Sequence, residues 1–140
     1  MCLFSYALRV HEKLYKATDG RIGHRLLGVP TLLLRTTGRR SGVTRTNGLV
    51  YAPDGTDYLV VPSNGGADQP PAWLFNLKAK PEVEIQIGRE RQKGNGRVVD
   101  PSDSEYARLW KIVNENNGDR YIAYQKETSR PIPVVVLTPL

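Results

Sequence analysis

The sequence is poor in the residues that most often carry catalysis or bind metals. It has one cysteine, Cys2, and two histidines, His11 and His24. A single thiol excludes a disulfide framework and fits a reducing compartment. Three such side chains within the first 24 residues lack the usual spacing of zinc ligands, and neither histidine lies near a Gly-x-Ser-x-Gly nucleophile elbow. We therefore predict no metal site and expect a bound cofactor to supply any difficult chemistry.

The sequence also lacks any apolar run near the ~18 residues that a membrane-spanning helix needs. Its first residues lack the basic-then-apolar order of a signal peptide, so we expect a cytoplasmic protein. Residues 1–22 nevertheless have the pattern of an amphipathic helix, with Arg9, Lys13 and Lys16 opposite an apolar stripe. Such a helix contacts anionic lipid at the inner face of the cell membrane, or its stripe packs against the domain; the sequence leaves both alternatives open.

The remaining residues, 23–140, have the patterning of one globular domain. Hydrophobic residues make up 39% of the 140-residue chain and charged residues 24%. About six strands follow one another in hairpin order, at residues 31–36, 44–51, 58–61, 82–87, 89–99 and 133–137. Helices do not separate every pair of strands, as a doubly wound sheet requires. We therefore predict an α+β, mainly β fold: a small barrel of mostly antiparallel strands.

Two to three helices are predicted between these strands. Pro70 and Pro71 open a short helix, because proline is tolerated where the first amides lack a partner. Ser102 and Glu105 have the spacing of a capping box, which starts a second helix that ends near Gly118. A third, shorter helix follows.

A basic turn between the first two predicted strands is the densest functional pattern. Arg39, Arg40, Ser41 and Arg45 lie within or just after the glycine-bounded stretch 38–42. Glycines let backbone amides converge, and guanidinium groups match the oxygens of phosphates and carboxylates. The spacing is neither that of a Walker P-loop nor that of a Gly-x-Gly-x-x-Gly dinucleotide motif. The turn binds an anion or is a solvated hairpin tip, and composition alone does not decide between them.

Two further patterns could line a pocket. The loop Ser63-Asn64-Gly65-Gly66 precedes the proline-opened helix, and its free amides could hold a carbonyl-rich ring. Trp73 in that helix is a core residue or a pocket wall. Tyr121 and Tyr124 share one helix face, where phenols either line a pocket or pack under the barrel.

Four ordered motifs together resemble the deazaflavin-dependent nitroreductase family of actinobacteria, whose members use reduced coenzyme F420. They are Thr37-Gly38-Arg39-Arg40-Ser41-Gly42-x-x-Arg45, Ser63-Asn64-Gly65-Gly66-Ala67, Pro71-Ala72-Trp73-Leu74-x-Asn76-Leu77-Lys78-Ala79-x-Pro81 and Tyr124-Gln125-x-x-Thr128-x-Arg130-x-Ile132-Pro133-Val134. The resemblance covers the chain from about residue 23 onward. It implies a split β-barrel and hydride transfer from reduced F420 to an electron-poor acceptor: a quinone, an enone or a nitro compound.

The resemblance also implies roles for single residues. Contacts to the cofactor are implied for Arg39, Arg40, Ser41, Arg45, Thr46, Asn47, Ser63, Asn64, Gly65, Gly66, Ala67, Ala72 and Trp73. Tyr121 and Tyr124 match tyrosines that wall the acceptor pocket. Because no histidine matches that pocket, Tyr121, Tyr124 and the Ser63 hydroxyl are the candidate donors to the acceptor oxygen.

The net charge agrees with this interpretation. The chain carries +6 at pH 7, which suits a cofactor bearing phosphate and glutamates. Two alternatives stay open: a split barrel that binds FMN, and a basic module that binds nucleic acid. We expect no nucleic-acid partner, because no aromatic residue for base stacking lies between Arg35 and Arg45. The expected partner is a small-molecule acceptor, and the expected state is a monomer or weak dimer.

Overall fold

The computed structural model describes residues 25–26 and 29–140. The helix predicted at residues 1–22, and with it any membrane contact, lies outside the described residues. Within the described part, no helix is long and apolar enough to cross a membrane.

Eight strands in the described part of the chain form one antiparallel sheet. They are β1 (Arg25–Leu26), β2 (Val29–Thr37), β3 (Thr44–Val50), β4 (Ala52–Asp54), β5 (Asp57–Val60), β6 (Glu82–Ile87), β7 (Glu90–Val99) and β8 (Val134–Pro139). Neighbours run in the order β1-β2-β6-β7-β8-β5-β4, and β3 pairs with the opposite edge of β2. Only Tyr51 separates β3 from β4, so one bent segment pairs with β2 at one end and with β5 at the other. The sheet therefore curls back on itself, which confirms the predicted split barrel.

Three helices and one short turn interrupt the strands. The helices are α1 (Ala72–Ala79), α2 (Tyr106–Asn116) and α3 (Arg120–Gln125), and a 3-10 turn spans Asn64–Gly66. As predicted, α1 follows two prolines. It buries Trp73, Leu74 and Leu77. A Cβ at Gly96 of β7 would clash with the Leu77 side chain, so glycine there lets α1 approach the sheet closely.

The sheet separates two hydrophobic cores, because successive side chains of a strand point to opposite faces. On one face, α1 packs on residues of β2, β5, β6 and β8 such as Leu34, Val60 and Leu137. On the opposite face, α2 and α3 pack on the alternate residues, such as Leu59 and Val136. The proposed cofactor residues of α1 and the predicted acceptor tyrosines of α3 therefore belong to different cores.

The capping box predicted at Ser102 and Glu105 is wrong. Helix α2 begins without a side-chain cap. The amide and hydroxyl of Ser102 instead donate to the Asp100 carboxylate, and these bonds hold the pKa of Asp100 below its ordinary value. Glu105 pairs with Arg97 at 3.1 Å. The Asp100 side chain forms a local turn that binds both donors of Ser102, so Ser102 does not cap α2.

Candidate functional site

The predicted arginine turn opens on a cleft of about 610 Å³ between the β2–β3 turn and α1. The residues that line it are Gly38, Arg39, Arg40, Ser41, Thr44, Arg45, Thr46, Asn47, Ala72, Trp73 and Asn76. Eight of the predicted cofactor residues are among them. The structure thus brings the basic turn and the Ala72–Trp73 pair of α1 into one site.

The guanidinium groups of Arg39, Arg40 and Arg45 in this cleft are exposed to solvent. Within the described residues, neither Arg39, Arg40 nor Arg45 forms an ion pair, whereas Arg35 of the preceding strand pairs with Glu84 at 3.4 Å. The Arg39 guanidinium lies 4.7 Å from the centre of a phenylalanine ring of α1, which holds it beside the cleft. Three unpaired cations in one concave site fit a ligand that carries several negative charges.

The turn closes on itself through short backbone hydrogen bonds. The Gly38 amide donates to the Val43 carbonyl and the Gly42 amide donates to the Gly38 carbonyl, both at 2.8 Å. Ser41 Oγ accepts from the Val43 amide at 3.1 Å. Gly42 has a φ of +71°, which favours glycine. The turn is therefore a defined scaffold even though its arginine side chains are solvated.

Asn76 joins the turn to α1, a role that sequence reasoning missed. Its Oδ1 accepts from the Arg39 amide at 3.1 Å, and its Nδ2 donates to Thr36 Oγ1 at 3.3 Å. The side chain is buried. The available signal was a polar residue three positions after Trp73, on the apolar face of a helix, since a buried amide needs partners. Asn76 fixes the basic turn relative to Trp73.

The 63–67 loop forms the 3-10 turn. None of its residues lines the arginine cleft; they are Ser63, Asn64, Gly65, Gly66 and Ala67. The φ angles of Asn64, Gly65 and Gly66 are +47°, +64° and +84°, three left-handed residues in succession. A Cβ at Gly66 would lie 2.9 Å from the Tyr124 carbonyl oxygen, so α3 packs directly on this loop. Within the described residues, the N–H groups of Ser63, Asn64 and Gly65 donate no hydrogen bond.

The two predicted acceptor tyrosines belong to α3, which packs on this loop, and neither is among the residues that line the arginine cleft. Tyr121 is 6% exposed, and burial raises its pKa to about 12, against the effects of Asn117 and Arg120. Tyr124 is half-buried, and the two rings meet edge to face with centroids 6.3 Å apart. Tyr121 also lies 6.5 Å from the Trp110 ring of α2. Both rings belong to the core on the α2 and α3 face of the sheet, and the raised pKa keeps the Tyr121 phenol protonated at neutral pH.

The split barrel thus carries a cationic cleft with Trp73 in its wall, a combination whose charge suits an anionic ligand. A family model for F420H(2)-dependent quinone reductases matches residues 7–139, and the chain belongs to that family. This finding confirms the predicted enzyme class, an F420-dependent reductase, and its predicted cofactor, reduced F420.

Individual relatives agree with the family. The chain is 55% identical over 132 residues to the F420H(2)-dependent quinone reductase Rv1261c of Mycobacterium tuberculosis, over 94% of this chain and 89% of that protein. A solved F420-H2 dependent reductase, FDR-A, is 34% identical with a TM-score of 0.69, over 77% of this chain and 93% of that one. A solved domain-swapped dimer is 32% identical with a TM-score of 0.70, over 92% and 96%.

Proposed function

We propose that this chain transfers a hydride from reduced F420 to a quinone, and that the arginine cleft holds the anionic part of the cofactor. The observation that carries the proposal is that one cleft gathers Trp73 and three guanidinium groups, which have no ion pair among the residues that the structure describes. Phosphate and carboxylate groups would form charge-assisted hydrogen bonds with Arg39, Arg40 and Arg45. The residues present therefore fit this cofactor.

The chain's own residues would position the reaction rather than perform acid–base chemistry. Bound reduced F420 supplies the hydride. Ala72 and Trp73 would form a wall beside the reacting ring, and the free amides of the 63–67 loop would donate to a ring carbonyl. Reduction of a quinone also places negative charge on an oxygen, which needs a hydrogen-bond donor and a proton. Tyr121, Tyr124 and the Ser63 hydroxyl are the proposed donors, and water supplies the net proton.

Titration of the purified protein with F420 and, in parallel, with FMN tests the choice of cofactor. We expect F420 fluorescence to change on binding, and we expect reduced F420 to support reduction of menadione while NADPH with FMN does not. Equal rates with the two donors would overturn the proposal and favour the FMN alternative. The same assay with an enone and with a nitroheterocycle tests the two other acceptor classes that the sequence predicts.

We propose further that the protein acts in the cytoplasm as a monomer or weak dimer, with residues 1–22 touching anionic lipid. Quinones partition into membranes, so a lipid-binding helix would bring the enzyme close to such acceptors. Co-sedimentation with anionic vesicles, compared with a chain that lacks residues 1–17, tests this contact. Equal pelleting of both chains would contradict it. Sedimentation at several concentrations gives the oligomeric state.

A further inference from the structure

One arginine outside the cleft, Arg130, forms hydrogen bonds with backbone carbonyls of the 63–67 loop and of the residue before it. Arg130 Nε donates to the Ala67 carbonyl at 2.9 Å. Its Nη2 donates to the Ser63 carbonyl at 2.8 Å and to the Pro62 carbonyl at 3.3 Å. A single planar guanidinium thus binds both ends of the 3-10 turn, in a geometry that a flexible ammonium group does not reproduce.

The loop needs such a grip because its backbone is unfavourable by itself. The left-handed conformation costs free energy at the non-glycine Asn64 and persists there only where the surroundings impose it, whereas Gly65 and Gly66 adopt it readily. The Asn64 side chain donates to the Gln69 carbonyl at 2.9 Å, which fixes only one end of the loop. Arg130 supplies the bonds that span both ends.

Arg130 is itself held by the segment that follows α3. Gln125 Nε2 donates to the Arg130 carbonyl at 2.8 Å, and Gln125 Oε1 accepts from the Ile132 amide at 2.9 Å. Thr128 Oγ1 accepts from the Arg130 amide at 3.3 Å and donates to Asp68 Oδ1 at 2.8 Å. These bonds keep the guanidinium over the loop carbonyls, and the Asp68 charge opposes the lowering of the Arg130 pKa by burial.

The same bonds act on the amides of the loop. In a trans peptide the C=O and the N–H point in opposite directions, so the carbonyls of Pro62 and Ser63 that face Arg130 turn the N–H groups of Ser63 and Asn64 away from it. A cationic donor on a carbonyl also polarises the peptide and strengthens its N–H as a donor. Both N–H groups lack a partner within the described residues.

We propose that Arg130 is a positioning residue of the hydride-transfer site, which aims and polarises the Ser63 and Asn64 amides toward a carbonyl of the cofactor ring. Arg130 does not touch the cofactor in this assignment. The inference rests on the proposed function, because it needs a deazaflavin ring beside the loop.

Arg130→Met and Arg130→Lys test this role, with Arg97→Met as the matched control. Arg97 forms an exposed ion pair with Glu105, away from the loop. We expect Arg130→Met to lower kcat roughly ten-fold or more, since small displacements of positioned groups are costly, and to leave the KM for menadione nearly unchanged. Arg130→Lys should recover part of the loss, and added guanidinium should partly restore Arg130→Met. Arg97→Met should match the wild type.

Two readouts separate this role from general stability. The absorption band of bound F420 should shift in Arg130→Met, because the ring carbonyl loses polarised donors. Hydrogen–deuterium exchange at residues 63–67 should rise in Arg130→Met without cofactor and stay unchanged in Arg97→Met. Wild-type kcat, spectrum and exchange in both Arg130 variants would overturn the inference while leaving the proposed function intact. Absence of F420 binding by the wild-type protein would overturn the proposed function first. If Arg130→Met does not fold, Arg130→Lys carries the same readouts.

Discussion

The arginine cleft and the 63–67 loop are built on opposite principles. In the cleft, Arg39, Arg40 and Arg45 are exposed and have no ion pair within the described part of the chain. In the loop, Ser63 is buried, and the guanidinium of Arg130 donates hydrogen bonds to three backbone carbonyls. Unpaired, solvated cations attract an anion without fixing its orientation closely. A clamped loop adds little attraction but fixes where its donors point. We propose that the arginine cleft provides the affinity for the cofactor and that the 63–67 loop provides its alignment.

Among the substitutions considered, we expect one at Gly66 to disturb the 63–67 loop, and with it the alignment of the cofactor, most severely. Gly66→Ala would place a Cβ 2.9 Å from the Tyr124 carbonyl oxygen at a φ of +84°, so the loop or α3 must move. We expect kcat/KM for menadione to fall about a hundred-fold or more, as misplacement of reacting groups by about 1 Å does elsewhere. F420 affinity, measured by fluorescence titration, should fall much less.

Gly55→Ala is the matched control for this experiment. Gly55 also has a positive φ, +62°, but a Cβ there would meet no atom within 4 Å. It should lose some stability from backbone strain and keep wild-type kcat/KM. A similar loss of activity in both variants would mean that strain alone, rather than the contact with Tyr124, accounts for the effect.

Trp73 connects the arginine cleft to the hydrophobic core of the fold. It is buried in the core beneath α1 and also lines the arginine cleft. We expect Trp73→Ala to destabilise the fold by about 3–5 kcal/mol and to weaken both F420 binding and turnover. Trp110→Ala, in the core on the other face, should lower the melting temperature and leave F420 affinity unchanged. Equal effects on affinity would show that binding follows stability alone.

Removal of the unpaired arginines should damage affinity and spare alignment. Each well-made charge-assisted hydrogen bond contributes roughly 1.5–3 kcal/mol, so Arg39→Ala and Arg40→Ala should each weaken F420 binding about ten-fold or more. Added salt should shrink the difference, since the groups are exposed. The turnover number at saturating F420 should change little.

Arg35→Ala, in the strand that leads into the basic turn, is the control for Arg39→Ala and Arg40→Ala. Arg35 is paired with Glu84, and this partly exposed pair is expected to contribute little to stability. Its removal should leave the F420 dissociation constant within about two-fold of the wild type. If Arg39→Ala and Arg40→Ala also bind F420 as the wild type does, the basic turn is a solvated hairpin tip.

The sequence predicted the gathering of residues in the arginine cleft better than it predicted the contacts of the 63–67 loop, for a physical reason. The arginines are close in sequence, so one hairpin is enough to gather them. The strand at residues 82–87 was likewise predicted with its observed bounds, because alternation is a local signal. In contrast, Arg130 reaches loop carbonyls that are 63 to 68 residues away, and Asn76 reaches Arg39 across 37. No local spacing encodes such bonds.

The remaining differences are at the ends of elements and in a very short strand. Strand β3 ends at Val50, one residue before the predicted end at Tyr51. The separate strand β4 was not predicted, because three residues give too short a pattern to detect. In contrast, Gly118 follows α2 in the left-handed conformation, as predicted, and the Asp119 amide donates to the Asn114 carbonyl at 2.9 Å.

The tyrosines should give the smallest effects, and they test whether alignment extends to the acceptor. Tyr124→Phe removes the hydroxyl of a half-buried residue, and we expect kcat/KM for menadione to fall about ten-fold, because one hydrogen bond to a developing charge is lost. Tyr121→Phe should have an equal or smaller effect, because its phenol is more deeply buried. F420 affinity should stay constant in both, since neither ring lines the arginine cleft. Wild-type rates in both variants would make water the donor and the phenols packing groups.

The alkaline stability of the fold gives an independent measure of the Tyr121 phenol. Burial raises its pKa to about 12 in the folded protein, above the unfolded value of about 10. A raised pKa means that the folded state favours the protonated phenol, so the stability it confers is complete below pH ~10 and is lost as the pH rises toward ~12. Tyr106, whose pKa burial also raises to about 12, contributes in the same window. Tyr121→Phe should therefore flatten, without abolishing, the fall in unfolding free energy between these pH values, as measured by urea denaturation. An unchanged slope would mean that Tyr121 titrates as an exposed phenol, which would contradict its burial in the core on the α2 and α3 face of the sheet.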